Sequence, residues 1–285
     1  VAAEDGSGVT GTLTVVQDER RQDLALNDLS LVFRGVDLTH FKGFLDTIPL
    51  SGRLSGPVST DGYLDNLAVR VDWAFADARL PGRPVSRLAG AGRVRLGGSD
   101  GLRFLPFTLT SSDLWLPTVR QVAPPVVLEG RAYAAGTLDG PWRAVTFTGS
   151  VTHRDGDRPE SAAGGTMFLD LRGAEAFVRA DLEFSRLDFD GIRAGFPTLP
   201  VRGAVAGPVA LEGTASRMRI TSRLDGELGH LETDGWFALQ YPERWGADSA
   251  EIRFRGLDLA VLAGRGPATR LAGTMHVTGL AGEAR

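Results

Sequence analysis

The chain repeats itself, and this repeat restricts the possible folds more than any other feature of the sequence. Three segments align without gaps on the same apolar-Asp pattern: FRGVDL (33–38), FSRLDF (184–189) and FRGLDL (254–259). A glycine follows each aspartate after fifteen residues, and a weaker fourth copy begins at SSDLWL (111–116). The four marker glycines are Gly52, Gly130, Gly203 and Gly273, spaced 78, 73 and 70 residues apart. A period of this length predicts supersecondary units that add along an axis, each burying its apolar face against the next.

Apolar and polar side chains alternate within each repeat. The clearest run is AVRVDWAFAD (68–77), in which Val69, Val71, Trp73 and Phe75 share one face. Alternation with a period of two predicts half-buried strands. The same pattern predicts strands at Val145/Phe147/Val151, Met167/Leu169/Leu171, Leu182/Phe184, Met218/Ile220/Leu224 and Ile252/Phe254. The dipeptides DG (61–62, 139–140, 155–156, 225–226) and GG (97–98, 164–165) predict the turns that separate the strands.

The segments after the repeated aspartates are long enough for one or two helical turns. Asp37 and Asp258 are predicted N-caps, because a carboxylate there can accept hydrogen bonds from free backbone N–H groups. A new strand is expected at each marker glycine. The predicted fold class is therefore all-β, with long antiparallel strands and one short helix per repeat. The approximate repeats are 24–100, 101–175, 176–247 and 248–285, the last of them truncated.

Alternation alone leaves the architecture open between a sandwich, a closed barrel and an elongated open sheet. The repeat favours the elongated sheet, because repeated units add along an axis. Strands of about 8–10 residues are long enough for such a sheet to curl into a deep trough with an apolar interior.

Composition removes several classes of function. With 31 basic and 35 acidic residues the net charge is −4, so the chain lacks the basic footprint of a nucleic-acid-binding protein. It contains no cysteine and no GxSxG motif. The four histidines, at 40, 153, 230 and 276, show no metal-ligand spacing. We expect no enzyme activity, no metal and no cofactor.

The ends and the hydropathy lead to a further expectation. The sequence begins at Val1 without a signal-like segment and stops within a repeat, and no apolar run approaches 18 residues. We expect an internal segment of a longer protein, with any membrane anchor outside it.

From about residue 24 onward, the repeat resembles the TamB and AsmA-like envelope proteins of diderm bacteria. The resemblance lies in FxxLDL, a short turn, PLSGRLSGPV and the following Leu-Asp-Asn-Leu strand entry. It implies a U-shaped β-sheet of the bridge-like lipid-transfer type, which carries phospholipid acyl chains through the periplasm between inner and outer membrane. It also implies outer-membrane biogenesis, an N-terminal inner-membrane helix, and an outer-membrane β-barrel partner for regions outside this segment. Neither the helix nor a barrel-binding domain can be matched in this sequence.

The candidate groove lining is the apolar face of the predicted strands. Its residues are Val69, Val71, Trp73, Phe75, Val145, Phe147, Leu182, Phe184, Met218, Ile220, Ile252 and Phe254. The alternative is that these side chains fill a closed core in a structural, carbohydrate-binding or protein-binding envelope module without lipid cargo. Carbohydrate binding predicts aromatic residues in register on the polar face, whereas alternation assigns Trp73 and Trp236 to the buried face.

Overall fold

The computed structural model describes residues 7–18, 23–38, 50–99, 101–124, 126–197, 201–240, 244–263 and 267–281, and they form an all-β protein. The strands are β1 (Gly8–Asp18), β2 (Asp23–Asp37), β3 (Gly52–Tyr63), β4 (Leu67–Asp77), β5 (Val85–Leu96), β6 (Leu102–Trp115), β7 (Arg131–Pro141), β8 (Ala144–Arg154), β9 (Ser161–Asp170), β10 (Phe177–Asp188), β11 (Ala204–Thr214), β12 (Arg217–Gly226), β13 (Gly229–Gln240), β14 (Arg244–Leu257) and β15 (Leu271–Ala281). Two five-residue helices accompany them, α1 (Leu116–Arg120) and α2 (Leu259–Ala263).

The fifteen strands form one antiparallel sheet whose spatial order follows the order along the chain. Each strand pairs with its sequence neighbours, and the sheet does not close, because β1 and β15 are not neighbours. The prediction of long antiparallel strands is confirmed. Among the described residues there is neither a second sheet, as a sandwich requires, nor a closed barrel.

The repeat recurs in the strand pattern every four strands. The three Phe-Asp motifs lie at the ends of β2, β10 and β14, and the weaker copy SSDLWL lies at the end of β6. The strands that follow them, β3, β7, β11 and β15, each begin within two residues of a marker glycine. Gly130 and Gly203 both have φ +83, a left-handed conformation that glycine adopts without steric cost. These glycines therefore mark the point where the chain turns to start a strand.

The prediction of one helix per repeat holds only in part. Asp258 caps α2, since its carboxylate accepts a hydrogen bond from the Ala260 N–H at 2.8 Å. Residues 39–49, after Asp37, lie outside the described residues. After Asp188 the chain forms turns instead of a helix, although the Asp188 carboxylate accepts the N–H groups of Asp190 and Gly191, each at 3.1 Å, as an N-cap does. In the fourth copy, α1 forms without a side-chain cap.

Some predicted turn positions are wrong. Gly164 and Gly165 lie inside β9, where Gly165 pairs with Leu182 of β10. A Cβ at Gly165 would overlap the backbone of Asp181, so this glycine allows close strand approach instead of a turn. Three Asp-Gly dipeptides, at 61–62, 139–140 and 225–226, lie at strand ends instead of between strands.

The chain divides into two compact units, each with its own apolar cluster. The first unit comprises residues 1–124 and 132–147, and the second comprises 125–131 and 148–285. In the first, the buried cluster is Leu29, Val58, Leu67, Val71, Val94 and Phe107. In the second it is Val205, Val209, Leu224 and Leu228, against which Val261 and Leu262 of α2 pack. The division falls inside β8, and the predicted repeat boundaries stay a prediction.

Candidate functional site

The strand registers of the first unit separate apolar from polar side chains. Directly opposite residues of neighbouring strands share a face, and consecutive residues of a strand point to opposite faces. One row across β2 to β6 is Leu31, Val58, Val71, Gly90 and Leu109. The adjacent row is Ser30, Ser59, Arg70, Ala91 and Thr108. We call the side that carries Val71 the apolar face of this unit and the side that carries Arg70 its polar face.

The four candidate residues of β4 all lie on this apolar face. Val71 is buried at 6% exposure, whereas Val69, Trp73 and Phe75 are half-buried. Val69 and Trp73 pack against the buried cluster of the first unit, and Phe75 lies opposite Leu54 and Ser86. The structure therefore brings these four side chains together on one side of the sheet.

Glycines give the large apolar side chains of this face their space. A Cβ at Gly90 would overlap the ring of Phe107, and a Cβ at Gly52 would overlap the ring of Phe75. Glycine makes up 37 of the 285 residues, or 13%, against an average usage of ~7%. At positions 52 and 90, close packing against an aromatic ring gives a physical reason for it.

Val145 and Phe147 lie on β8 and are both half-buried. The hydroxyl of Thr148 hydrogen-bonds that of Thr166 at 3.1 Å, and Thr166 shares a row with Asp181. Thr148 is therefore on the polar side of its strand, so alternation turns Val145 and Phe147 to the opposite side.

The six candidate residues of the second unit also share one face. One row across β10 to β15 is Leu182, Val209, Ser222, Thr233, Ile252 and Met275. Ile220 lies between Leu211 and Gly235, Met218 lies opposite Phe237, and Phe184 and Phe254 lie opposite Gly207 and Gly273. Met218 is buried at 4% exposure, and the other five are half-buried. We call this side the apolar face of the second unit and the opposite side its polar face.

Ion pairs cross the polar face of the second unit from strand to strand. Three pairs join neighbouring strands: Arg179–Glu212 at 2.8 Å, Arg219–Asp234 at 3.2 Å and Arg223–Glu232 at 3.2 Å. A fourth pair, Arg253–Glu251 at 2.5 Å, lies within β14. Every arginine in them is more than half exposed, so solvent screens each pair and its contribution to stability is small. Their main effect is to keep this face hydrated and to oppose shifts in register.

His230 has two acidic neighbours on the same polar face. Its Nδ1 lies 2.7 Å from Asp225 and its Nε2 lies 3.3 Å from Glu232. The hydrogen bond to Asp225, followed by that to Glu232, raises the pKa of His230. The same contact with His230 lowers the pKa of Glu232. The group is a charge network in which each ring nitrogen of His230 has a carboxylate partner.

Alternation assigned Trp236 to the buried face, and the structure shows that this assignment is wrong. It lies opposite Arg219 and Ser249, on the polar face, and Arg217 stacks over its ring at 4.5 Å. Nearby, a shallow cavity of about 500 Å³ lies over β11 to β14. Its charged lining residues are Arg223, Glu232, Asp234, Glu251 and Arg253.

The sequence analysis did not predict the buried polar group at Asp77. Asp77 is fully buried at the end of β4, where its carboxylate accepts hydrogen bonds from Thr118 at 2.7 Å, Gln121 at 2.6 Å and the Arg79 N–H at 2.9 Å. These bonds tie α1 and the residue that follows it to β4. The signal in the sequence was an aspartate that ends an apolar strand, and its two side-chain partners, Thr118 and Gln121, lie more than forty residues away.

Within the described ranges, no three His, Asp or Glu side chains form a group that could hold a metal ion. No helix in the same ranges is long and apolar enough to span a membrane. No family model matches the chain, and neither does any curated protein or any solved structure.

Proposed function

We propose that this chain is a segment of a lipid-transfer protein of the bacterial envelope. In this proposal the apolar face of each unit holds phospholipid acyl chains, and the full protein conducts them through the periplasm between inner and outer membrane. The repeat style shared with the TamB and AsmA-like proteins supports this assignment. Partners at the two membranes would bind regions outside this segment.

The observation that carries the proposal is the separation of the two faces over consecutive strands. The row from Leu31 to Leu109 continues without a polar side chain from β2 to β6. In the second unit the row without a polar side chain runs from β10 to β15 and consists of Ala180, Leu211, Ile220, Gly235, Ala250 and Val277, whereas the neighbouring row of the same face contains Ser222 and Thr233. Within the described ranges no second sheet covers these rows, and ten of the twelve candidate residues keep part of their surface accessible. An acyl chain on such a face gains about 0.8 kcal/mol for each CH₂ removed from water. An apolar row that continues over many strands also lets a chain slide, because every position offers similar contacts.

A second candidate function follows from the polar face of the second unit. Trp236 and the charged cavity offer a stacking surface and hydrogen-bonding groups, which suit a carbohydrate or a polar protein segment. The charged cavity residues already form ion pairs, with one another or, for Asp234, with Arg219, so a ligand would have to replace existing ion pairs. This cost makes acyl-chain binding the better supported function.

The test compares two adjacent residues of β4. Phe75→Asp places a carboxylate on the apolar face, whereas Ala74→Asp places one on the polar face opposite Arg87. We measure the binding of a phospholipid with a fluorescent acyl chain and verify the fold by circular dichroism. Phe75→Asp should weaken binding by about tenfold or more, as expected when two or more CH₂ contacts are lost. Ala74→Asp should stay within about twofold of the unmodified chain on the same affinity scale.

Absence of lipid binding by the unmodified, folded chain would contradict acyl-chain transfer. Equal losses in the two variants would show that lipid does not distinguish the faces. Binding of a labelled oligosaccharide, abolished by Trp236→Ala, would favour the second candidate.

A further inference from the structure

Three buried polar side-chain atoms have no hydrogen-bond partner within the described ranges. They are the Thr60 hydroxyl oxygen, the Trp73 indole Nε1 and the His153 Nδ1. Buried polar groups are nearly always paired, so each exception requires an explanation. His153 belongs to the second unit, and its Nε2 donates to the Glu129 carbonyl oxygen at 2.7 Å, which leaves Nδ1 of the neutral ring as an acceptor. Thr60 and Trp73 belong to the first unit.

Thr60 and Trp73 both stand on the apolar face of the first unit. Trp73 lies opposite Leu88 of β5. Thr60 of β3 lies between Leu29 of β2 and Val69 of β4. Val69 and Trp73 are four residues apart on β4, roughly 13 Å along the strand, so the two polar groups mark two separate positions on this face. Both residues are half-buried, and no second sheet covers them in the described part of the chain, so a molecule that inserts among the side chains of this face can reach the two polar atoms.

Another polar group of the same face is fully paired within the protein. Ser112 of β6 lies opposite Leu88, in the row that contains Trp73. Its hydroxyl donates to the Ala134 carbonyl oxygen at 3.1 Å and accepts the Ala134 N–H at 2.8 Å. The protein itself therefore satisfies Ser112, whereas the hydrogen-bonding capacity of Trp73 and Thr60 stays open for a bound molecule.

The chemistry of these two groups restricts what that molecule can be. An indole N–H only donates, and a hydroxyl can donate one hydrogen bond, so the molecule must supply acceptor oxygens. The rows that contain Trp73 and Thr60 hold no charged side chain from β2 to β6. An anionic phosphate or carboxylate would therefore lose its water here without gaining a positive partner. A neutral carbonyl oxygen avoids this cost.

We propose that the Trp73 Nε1–H and the Thr60 hydroxyl donate hydrogen bonds to the ester carbonyl oxygens of a glycerolipid on the apolar face of the first unit. In an acyl ester the carbonyl group is joined directly to the hydrocarbon chain, so a chain that lies on this face brings an acceptor oxygen with it. The ligand class is therefore an acyl ester, and an ether-linked lipid of the same length lacks the acceptor. This inference rests on the proposed lipid binding.

The test compares two phosphatidylcholines that differ only in how their hydrocarbon chains are linked to glycerol. One has two ester links and the other has two ether links, with equal chain lengths, so only the first offers carbonyl acceptors. Each lipid displaces a fluorescently labelled phospholipid from the protein, and the displacement gives its affinity. The unmodified protein should bind the ester lipid about fivefold more tightly than the ether lipid, as expected for one net hydrogen bond.

Conservative variants assign this preference to the two groups. Trp73→Phe keeps an aromatic ring and removes the N–H, so it should reduce the preference to about twofold or less while affinity for the ether lipid stays within about twofold. Thr60→Val replaces the hydroxyl by a methyl group and should reduce the preference in the same direction. Trp236→Phe is the matched control, because Trp236 stands on the polar face of the second unit, and it should leave the preference unchanged.

Equal affinity of the unmodified protein for the two lipids would overturn this inference and leave lipid binding intact. An ester preference that persists in both Trp73→Phe and Thr60→Val, or that Trp236→Phe reduces as strongly, would also overturn it. Binding of neither lipid would instead contradict the proposed function itself. Circular dichroism verifies that each variant is folded, and the comparison of the two lipids on the unmodified protein needs no substitution.

Discussion

Leu67 is the position where the packing of the first unit can be measured most directly. Its side chain is 1% exposed, although it belongs to a single sheet with no described second layer. It lies on the apolar face of β4, opposite Val94 of β5, in the cluster that includes Phe107. If the apolar face packs as densely as a protein core, truncation of this side chain must carry the cost of a core cavity.

The expected size follows from measured core truncations. Replacing a buried leucine by alanine costs about 2.7–5 kcal/mol, and the lower values belong to sites that can relax around the cavity. Neighbouring strands of one sheet can close in on this site, so we expect Leu67→Ala to cost about 3 kcal/mol. Leu96→Ala is the matched control, because Leu96 is 39% exposed at the end of β5. It should change stability by less than about 0.5 kcal/mol.

Amide hydrogen exchange of β4 and β5 is the appropriate assay, because a chain of two compact units need not unfold in one step. Leu67→Ala should speed exchange in these strands by about two orders of magnitude, the equivalent of about 3 kcal/mol. A loss below about 1 kcal/mol, similar to that of the control, would refute the claim that the apolar face is densely packed.

Three further predictions concern polar groups. Asp77→Ala should destabilise the first unit by about 1–3 kcal/mol, because buried donors lose their acceptor; unchanged exchange in β4 would contradict this. Asp258→Ala should cost about 1 kcal/mol through the lost cap of α2, visible as faster exchange after residue 258, and no change would mean that the cap is dispensable. Asp225 and Glu232 raise the pKa of His230. Protonated His230 therefore stabilises the folded chain fully below its ordinary pKa near 6.5, and this stabilisation is lost as the pH rises through the pKa of the folded state. The stability difference between the unmodified chain and His230→Gln should therefore shrink from pH 6 to pH 9 in urea unfolding, and a constant difference would contradict the charge network.

The strand pattern could be predicted from the sequence because alternation is a local property. The alternation of apolar and polar residues from Val69 to Phe75 predicts a strand without any information from other parts of the chain, and β4 forms there. The marker glycines predicted strand starts for an equally local reason, since a left-handed backbone at Gly130 and Gly203 requires glycine. The capping of α2 by Asp258 involves residues only two positions apart.

The remaining features depend on distant residues. Trp236 alternates like a buried residue, and only the register with β12 and β14 shows that it stands on the polar face. The side-chain partners of buried Asp77 are Thr118 of α1 and Gln121, the residue after α1. No local sequence pattern around Asp77 predicts these contacts. The sequence predicts a turn at Gly164 and Gly165, but both residues lie inside β9, where Gly165 allows the close approach of β10. An open sheet and a closed one also share the same alternation, so only strand pairing distinguishes them.

Site-specific photocrosslinking to lipid tests the central claim most directly. A photoreactive phenylalanine analogue is placed in turn at positions 219, 220, 221 and 222 of β12, and the chain is incubated with radiolabelled phospholipid. The apolar-face positions are Ile220 and Ser222, and the polar-face positions are Arg219 and Thr221. Acyl-chain binding predicts lipid adducts that alternate along the strand, strong at 220 and 222 and weak at 219 and 221. Equal labelling at all four positions, or none at 220 and 222 in a folded chain, would contradict the proposal that the apolar face carries lipid.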